Sequence, residues 1–249
     1  MVLVSYPVAL VILAVLAFGF GGTVSPAAVF WGALSGISQG LAVWWFYAAL
    51  GSGPISVVSP LTAVLAAALP LGVGLAFGQR PGVLAGIGAA LALVAVVLVS
   101  REATDEDERP HRFTRQVAWL TVGAGVGFGL NYVLLHQVPE EAGLWPLVFG
   151  RVAATVVVFA AAALTGNFVL PQGVSMRLAL GAALFDVGAN ITMLWALHGS
   201  LQLLAGVLIS LYPVATVLLA IVVLRERMTR WQVMGLVLAV VSVTLFAIH

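Results

Sequence analysis

Long apolar runs broken by glycine, proline or charge recur along the whole chain, and none alternates with the two-residue period of a barrel strand. A helix needs about 20 mainly apolar residues to cross a hydrocarbon layer ~30 Å thick. Nine runs meet that need: about Val2 to Gly21, Ala27 to Leu50, Ile55 to Phe77, Val83 to Ser100, Val117 to Leu135, Leu144 to Leu164, Leu178 to Leu197, Leu201 to Leu224 and Trp231 to Ile248. The loops between them are short, so consecutive helices run antiparallel. The pattern predicts an all-α polytopic membrane protein with nine transmembrane helices.

One segment breaks the pattern. Arg101 to Arg115 holds nine of the nineteen charged residues and reads as a solvated linker between two halves. Sliding the chain over itself by 147 residues brings the halves into register. Ala49-Leu50 falls on Ala196-Leu197, Arg80 on Arg227, Gly88 on Gly235, and Leu91-Ala92 on Leu238-Ala239. From Trp31 to Ser100, 13 of 70 such pairs are identical, about twice the chance level of so apolar a composition, and helices and loops stay aligned. The expected organisation is residues 1–100 as a first repeat of four helices, 101–115 as linker, and 116–249 as a second repeat of five. An odd number of helices per repeat inverts one against the other, the arrangement common in secondary transporters. The offset places Met1 opposite Val148, so the counterpart of Gln116 to Leu147 is expected to be missing from the front.

Composition agrees with lipid as the solvent: 62% of residues are apolar, 8% are charged, and the mean hydropathy is +1.16. A net charge of +1 leaves no concentrated basic surface, which excludes nucleic acid as a partner. The absence of cysteine removes disulfides, thiolate metal sites and a thiol nucleophile. All basic residues are Arg, which with the Ala, Val and Gly richness fits a GC-rich bacterial genome. The first of them is Arg80, so Met1 to Phe20 lacks the positive start of a signal peptide and reads as a retained helix.

The succession Ala196-Leu197, Leu208 to Pro213-Val214, Leu224-Arg225-Glu226-Arg227-Met228 and Gly235 resembles the second EamA repeat of the drug/metabolite transporter superfamily. Ala49-Leu50, Ser59-Pro60-Leu61, Gly78-Gln79-Arg80-Pro81 and Gly88 form a degraded echo in the first half. The resemblance implies ten helices in two inverted repeats, a central cavity, and export or exchange of small metabolites or drugs. This chain departs from it by showing nine helices and by carrying Gln79 where the family usually has Glu. The first departure bears on the cavity wall, which the missing helix would normally help to build: either the start is set too late, or a second copy in a homodimer or a partner chain supplies the helix, or the protein does not transport.

Asp186 is the strongest candidate for function, because a carboxylate deep in a span costs ~2.5 to 3.5 kcal/mol to insert and needs a partner or water. Asn190 lies four residues on, hence on the same face. The two form a stripe able to bind a cation or substrate amine or to relay a proton; the alternative is a buried Asp bonded to a neighbouring helix for packing. The repeat maps Asp186 onto Gln39, the most polar residue of the second span. Trp44-Trp45-Phe46-Tyr47 offers an aromatic wall near Gln39, and Tyr212-Pro213 a hydroxyl beside a freed carbonyl, although interfacial anchoring is the commoner role of such residues. Ser210 and Asn131 are weaker candidates of the same kind. Arg151 could hold a substrate carboxylate or snorkel to the headgroups. Gly123, Gly125, Gly127 and Gly129 give overlapping GxxxG spacings that allow close helix packing.

Arg101, Arg109, Arg112, Arg115, Arg177, Arg225, Arg227 and Arg230 fall on one side with only Arg80 opposite, which places the linker in the cytoplasm and His249 outside. No metalloprotease, serine-hydrolase or paired-aspartate motif is present, so no enzyme is expected, and no cofactor or metal. The reading is a secondary transporter of the bacterial inner membrane working on a small-molecule solute, with proton coupling through Asp186 as one route. Its alternative is a non-transporting or partner-dependent membrane subunit of the same family.

Overall fold

A computed structural model describes residues 2–78, 82–99, 114–166, 168, 171–198, 209, 211, 214 and 229–247. The apolar runs form helices because lipid offers no hydrogen bonds, and only a helix satisfies every backbone group within one segment. Among the described residues there are eight α-helices and no strand: α1 (Val2–Phe20), α2 (Pro26–Ser52), α3 (Ile55–Ala76), α4 (Val83–Val99), α5 (Arg115–His136), α6 (Trp145–Thr165), α7 (Val174–His198) and α8 (Arg230–Ala247). Each lies within four residues of its expected run. Six of them, α1, α2, α3, α5, α6 and α7, are long and apolar enough to cross a membrane, while α4 and α8 are shorter apolar helices. The chain is a multi-pass membrane protein. The eighth expected run, Leu201 to Leu224, and most of the linker lie outside the described residues.

The helices pack as two units, Met1–Trp44 with Leu130–Ser200, and Trp45–Gly129 with Leu201–His249. Each unit draws on both sides of the linker, and α2 and α5 give one end to each.

In the first unit α1 buries Tyr6, Ala9, Leu13 and Ala17, a three- and four-residue spacing that makes one face. That face packs against α6 and α7. Val11, Val15 and Phe18 point away from it and are exposed, the surface a bilayer would cover. The α1–α2 connection turns through Gly21 and Gly22, both at positive φ. Thr23 then donates its backbone N–H (2.8 Å) and its hydroxyl (3.1 Å) to the carbonyl of Glu141, tying this turn to the short 3-10 turn Glu140–Ala142 that precedes α6. A β-carbon on Gly22 would meet the Ala142 carbonyl at 2.6 Å, so the approach needs glycine for space as well as for φ.

The second unit is held by small residues. Ala85, Ala89, Ala92 and Ala95 of α4 cluster with Ala63 of α3 and Ala239 of α8, and Ser242 of α8 donates its hydroxyl to the Gly88 carbonyl at 2.8 Å. Gly125 and Gly129 of α5 face Thr62, Leu65, Ala66 and Leu69 of α3, and Gly123 faces the ring of Trp45. These are the close approaches that the glycine spacing predicts.

Candidate functional site

The first unit brings together charges that stand far apart in sequence. Asp186 is twelve residues from either end of α7, roughly 18 Å each way at ~1.5 Å per residue. Arg151 is six residues into α6. The guanidinium Nη2 of Arg151 donates to the Asp186 Oδ2 in an ion pair. The other carboxylate oxygen, Oδ1, accepts from the Asn190 side-chain amide at 3.1 Å, and the same amide donates to the Asp186 main-chain oxygen at 2.7 Å. Asn190 thus braces Asp186 from one turn along α7, as the four-residue spacing implies.

The two charges are held unequally. The Arg151 side chain is 1% exposed, that of Asp186 32%. On its flank Arg151 stacks over the ring of Tyr6, 4.5 Å from its centroid, so α1 supplies a cation–π floor to a cation that α6 carries. Burial at this level rules out snorkelling, and the partner that a charge inside a span requires is Asp186. Among the described residues Arg151 Nε and Nη1 are buried with no hydrogen-bond partner.

Arg151 also lines a small polar cavity. Ser35 and Gln39 of α2, Asn131 of α5 and Asn190 of α7 contribute its other polar groups, and Leu13, Leu135 and Met193 its apolar ones. There is room for about one water molecule. Five helices therefore converge on one point, and the positions of α2 and α6 depend on glycine. Gly32, Gly36 and Gly40 run down the face of α2 that meets Pro146, Gly150 and Ala154 of α6, and a β-carbon on Gly36 would overlap the Gly150 carbonyl. Gly150 immediately precedes Arg151, so this crossing sets how close α2 comes to the guanidinium.

Of the expected residues, Gln39, Asn131, Arg151 and Asn190 meet at the cavity, and Asp186 joins them through Arg151 and Asn190. Trp44 is half-buried and is not among the residues lining the cavity. Trp45 and Phe46 serve packing in the second unit, where Trp45 covers Gly123 and Phe46 meets Phe128 edge to face with centroids 6.0 Å apart, while Tyr47 is exposed. Tyr212 and Ser210 lie outside the described residues. Tyr6 and the Gly32-Gly36-Gly40 stripe enter the site unannounced. The stripe has the same spacing of four as Gly125 and Gly129, whereas a tyrosine near the end of a span carries no sign that it lies beneath a cation. No group of three or more metal-binding side chains occurs among the described residues.

The model of the EamA-like transporter family matches residues 116–248, more than half of the chain. Among solved structures, one described only as the crystal structure of a protein shares the fold with a TM-score of 0.70 at 20% sequence identity, over 98% of this chain and 86% of the other. No curated protein matches.

Proposed function

We propose a transport function from one premise: this chain belongs to the EamA-like transporter family. Within that family we read it as a secondary carrier that exports or exchanges a small metabolite or drug-like solute across a bacterial inner membrane. Nine spans in two inverted repeats, of which the first shows four helices, make up its architecture, and alternating access its mechanism. The observation that carries the reading is the Arg151–Asp186–Asn190 cluster in the interior of the spanning helices, beside a cavity lined by Gln39 and Asn131. Charges in such a place are expensive, and a protein built only for packing has no use for two of them next to unfilled polar space.

Two properties suit the cluster to a carrier. Its charges cancel, so the empty site can stay within the layer without a net charge. Its two sides differ in exposure, so one partner is enclosed and the other has an open side.

The test is flux. The purified full chain, reconstituted into proteoliposomes, is offered a panel of labelled amino acids, organic acids, amines and sugars, with and without a proton gradient. Uptake of at least one class above protein-free vesicles, and its loss in Asp186→Asn, are the expected results. No flux of any class, or full flux in Asp186→Asn, overturns the reading.

A further inference from the structure

We propose that the solute carries a carboxylate and that this carboxylate takes the place of Asp186 on Arg151; the proposal rests on the carrier reading above and names its substrate class. A guanidinium presents five N–H donors in a planar fork. Asp186 engages it through Nη2, while Nε and Nη1 are buried and unpartnered among the described residues. A buried donor without an acceptor costs ~1 to 3 kcal/mol, and native structures retain few of them. Here the unused donors belong to one side chain that lines a polar cavity, so the site offers donors to a ligand that brings acceptors.

The kind of acceptor follows from what is already bound. The resident ligand of the guanidinium is a carboxylate held by one nitrogen. A carboxylate that replaces it can take two parallel N–H bonds, one from Nη2 and one from Nε or Nη1, a stronger and more directional arrangement. The amides of Gln39 and Asn131 line the same cavity and can orient further oxygens of the solute.

Exchange follows rather than addition. One cation can neutralise only one carboxylate, so the solute replaces Asp186 on the guanidinium, and the released Asp186 carboxylate takes up a proton or turns to water. Arg151 is fixed by burial and by the Tyr6 ring, while Asp186 has a third of its side chain exposed and therefore a side to leave by. The cavity has room for about one water molecule. Departure of the Asp186 carboxylate makes the room that the solute needs, so the resident group acts as plug and competitor at once.

Competition gives a signature that an ordinary binding residue does not. Removal of Asp186 as a charge strengthens carboxylate binding while removal of Arg151 abolishes it. The experiment is thermal unfolding of the full chain in detergent with acetate, benzoate and alanine, each against its matching amide and against sodium chloride at equal ionic strength. In the natural protein at least one carboxylate is expected to raise the unfolding temperature where its amide and chloride do not. In Asp186→Asn the half-maximal concentration is expected to fall at least threefold. Arg151→Gln alone leaves a carboxylate unpaired within the layer, so the double variant Arg151→Gln, Asp186→Asn, which removes both charges, is the folded control and is expected to show no response. A response shared by the amides or chloride, no response to any carboxylate, a response lost in Asp186→Asn, or one retained in the double variant each overturns the proposal. Flux in proteoliposomes separates the two levels: chain-dependent movement of solutes without a carboxylate keeps the carrier reading and ends this one, and carboxylate binding without any flux does the reverse.

Discussion

Gly36 on α2 and Gly150 on α6 stand backbone to backbone, so close that a β-carbon on Gly36 would overlap the Gly150 carbonyl. Neither backbone can yield cheaply, because each is part of a continuous helix. Gly36→Ala therefore has to push α2 and α6 apart, at a cost in the ~1 to 3 kcal/mol range of overpacked sites. Gly19 on α1 has nothing within 4 Å of its added β-carbon, and Gly19→Ala is expected to be neutral or slightly stabilising. Thermal unfolding in detergent checks both, and equal midpoints for the two variants would show that the crossing is looser than described.

The ion pair predicts strongly non-additive stability. Arg151→Gln leaves the Asp186 carboxylate, and Asp186→Asn leaves a buried guanidinium, without a counter-charge; breaking such a pair from one side costs ~3 to 5 kcal/mol when both partners are deeply buried, and less here because Asp186 is a third exposed. The double variant loses the penalty along with the pair. It is expected to unfold at a higher temperature than Arg151→Gln. Additive effects in this double-mutant cycle would mean that the two side chains do not meet.

Asn190 has a subtler part. Its amide donates to the Asp186 carboxylate and main chain, so Asn190→Ala removes both bonds, each worth ~1 kcal/mol net and the one to the charged acceptor somewhat more, and takes the brace off Oδ1. Because it orients a partner rather than supplying a charge, the loss is expected to fall on turnover more than on solute affinity. Initial flux rates measured against solute concentration separate the two, and a purely KM effect would place Asn190 in contact with solute instead.

The helices were legible because in lipid apolar length alone decides what spans, and that information is local. α7 shows the limit: it begins at Val174, four residues before the apolar run at Leu178, since Arg177 can sit at an interface without ending a helix. The value of Asp186, Asn190, Gln39 and Asn131 was legible from the cost of polar groups inside spans. Their grouping was not, and least of all the Arg151–Asp186 pair. Counting residues from the ends of α6 and α7 puts the two at different depths, which leaves a snorkelling Arg151 as open as a binding one. Helix ends in sequence do not mark a common plane in space, so depth by counting fails where helices are offset. Aromatic composition likewise says nothing of direction: adjacent residues of α2 point around the helix, so a run of four cannot form one wall, and Trp45 and Phe46 turn toward α5.

At one end of the first unit, His136 of α5 reaches the Leu197 carbonyl of α7 at 3.2 Å, and His198 of α7 reaches the Val138 carbonyl just beyond α5 at 3.0 Å. Leu197 lies in the last turn of α7, where carbonyls lack intrahelical donors, and Val138 lies just beyond α5, so the two bonds form two rungs of one clasp. Both links require a ring N–H pointed at the carbonyl, a role that glutamine can copy and alanine or leucine cannot. His136→Leu and His198→Leu are each expected to cost ~1 kcal/mol. The double variant should lose less than the sum, because one broken rung already lets the helix ends separate. Amide exchange over residues 194–198 is expected to rise in either single variant and to return toward the natural rate in His198→Gln. Unchanged exchange in all three would show that the α5 and α7 ends are held by their apolar contacts alone, among them Leu135, Leu194 and Leu197, each buried in this unit.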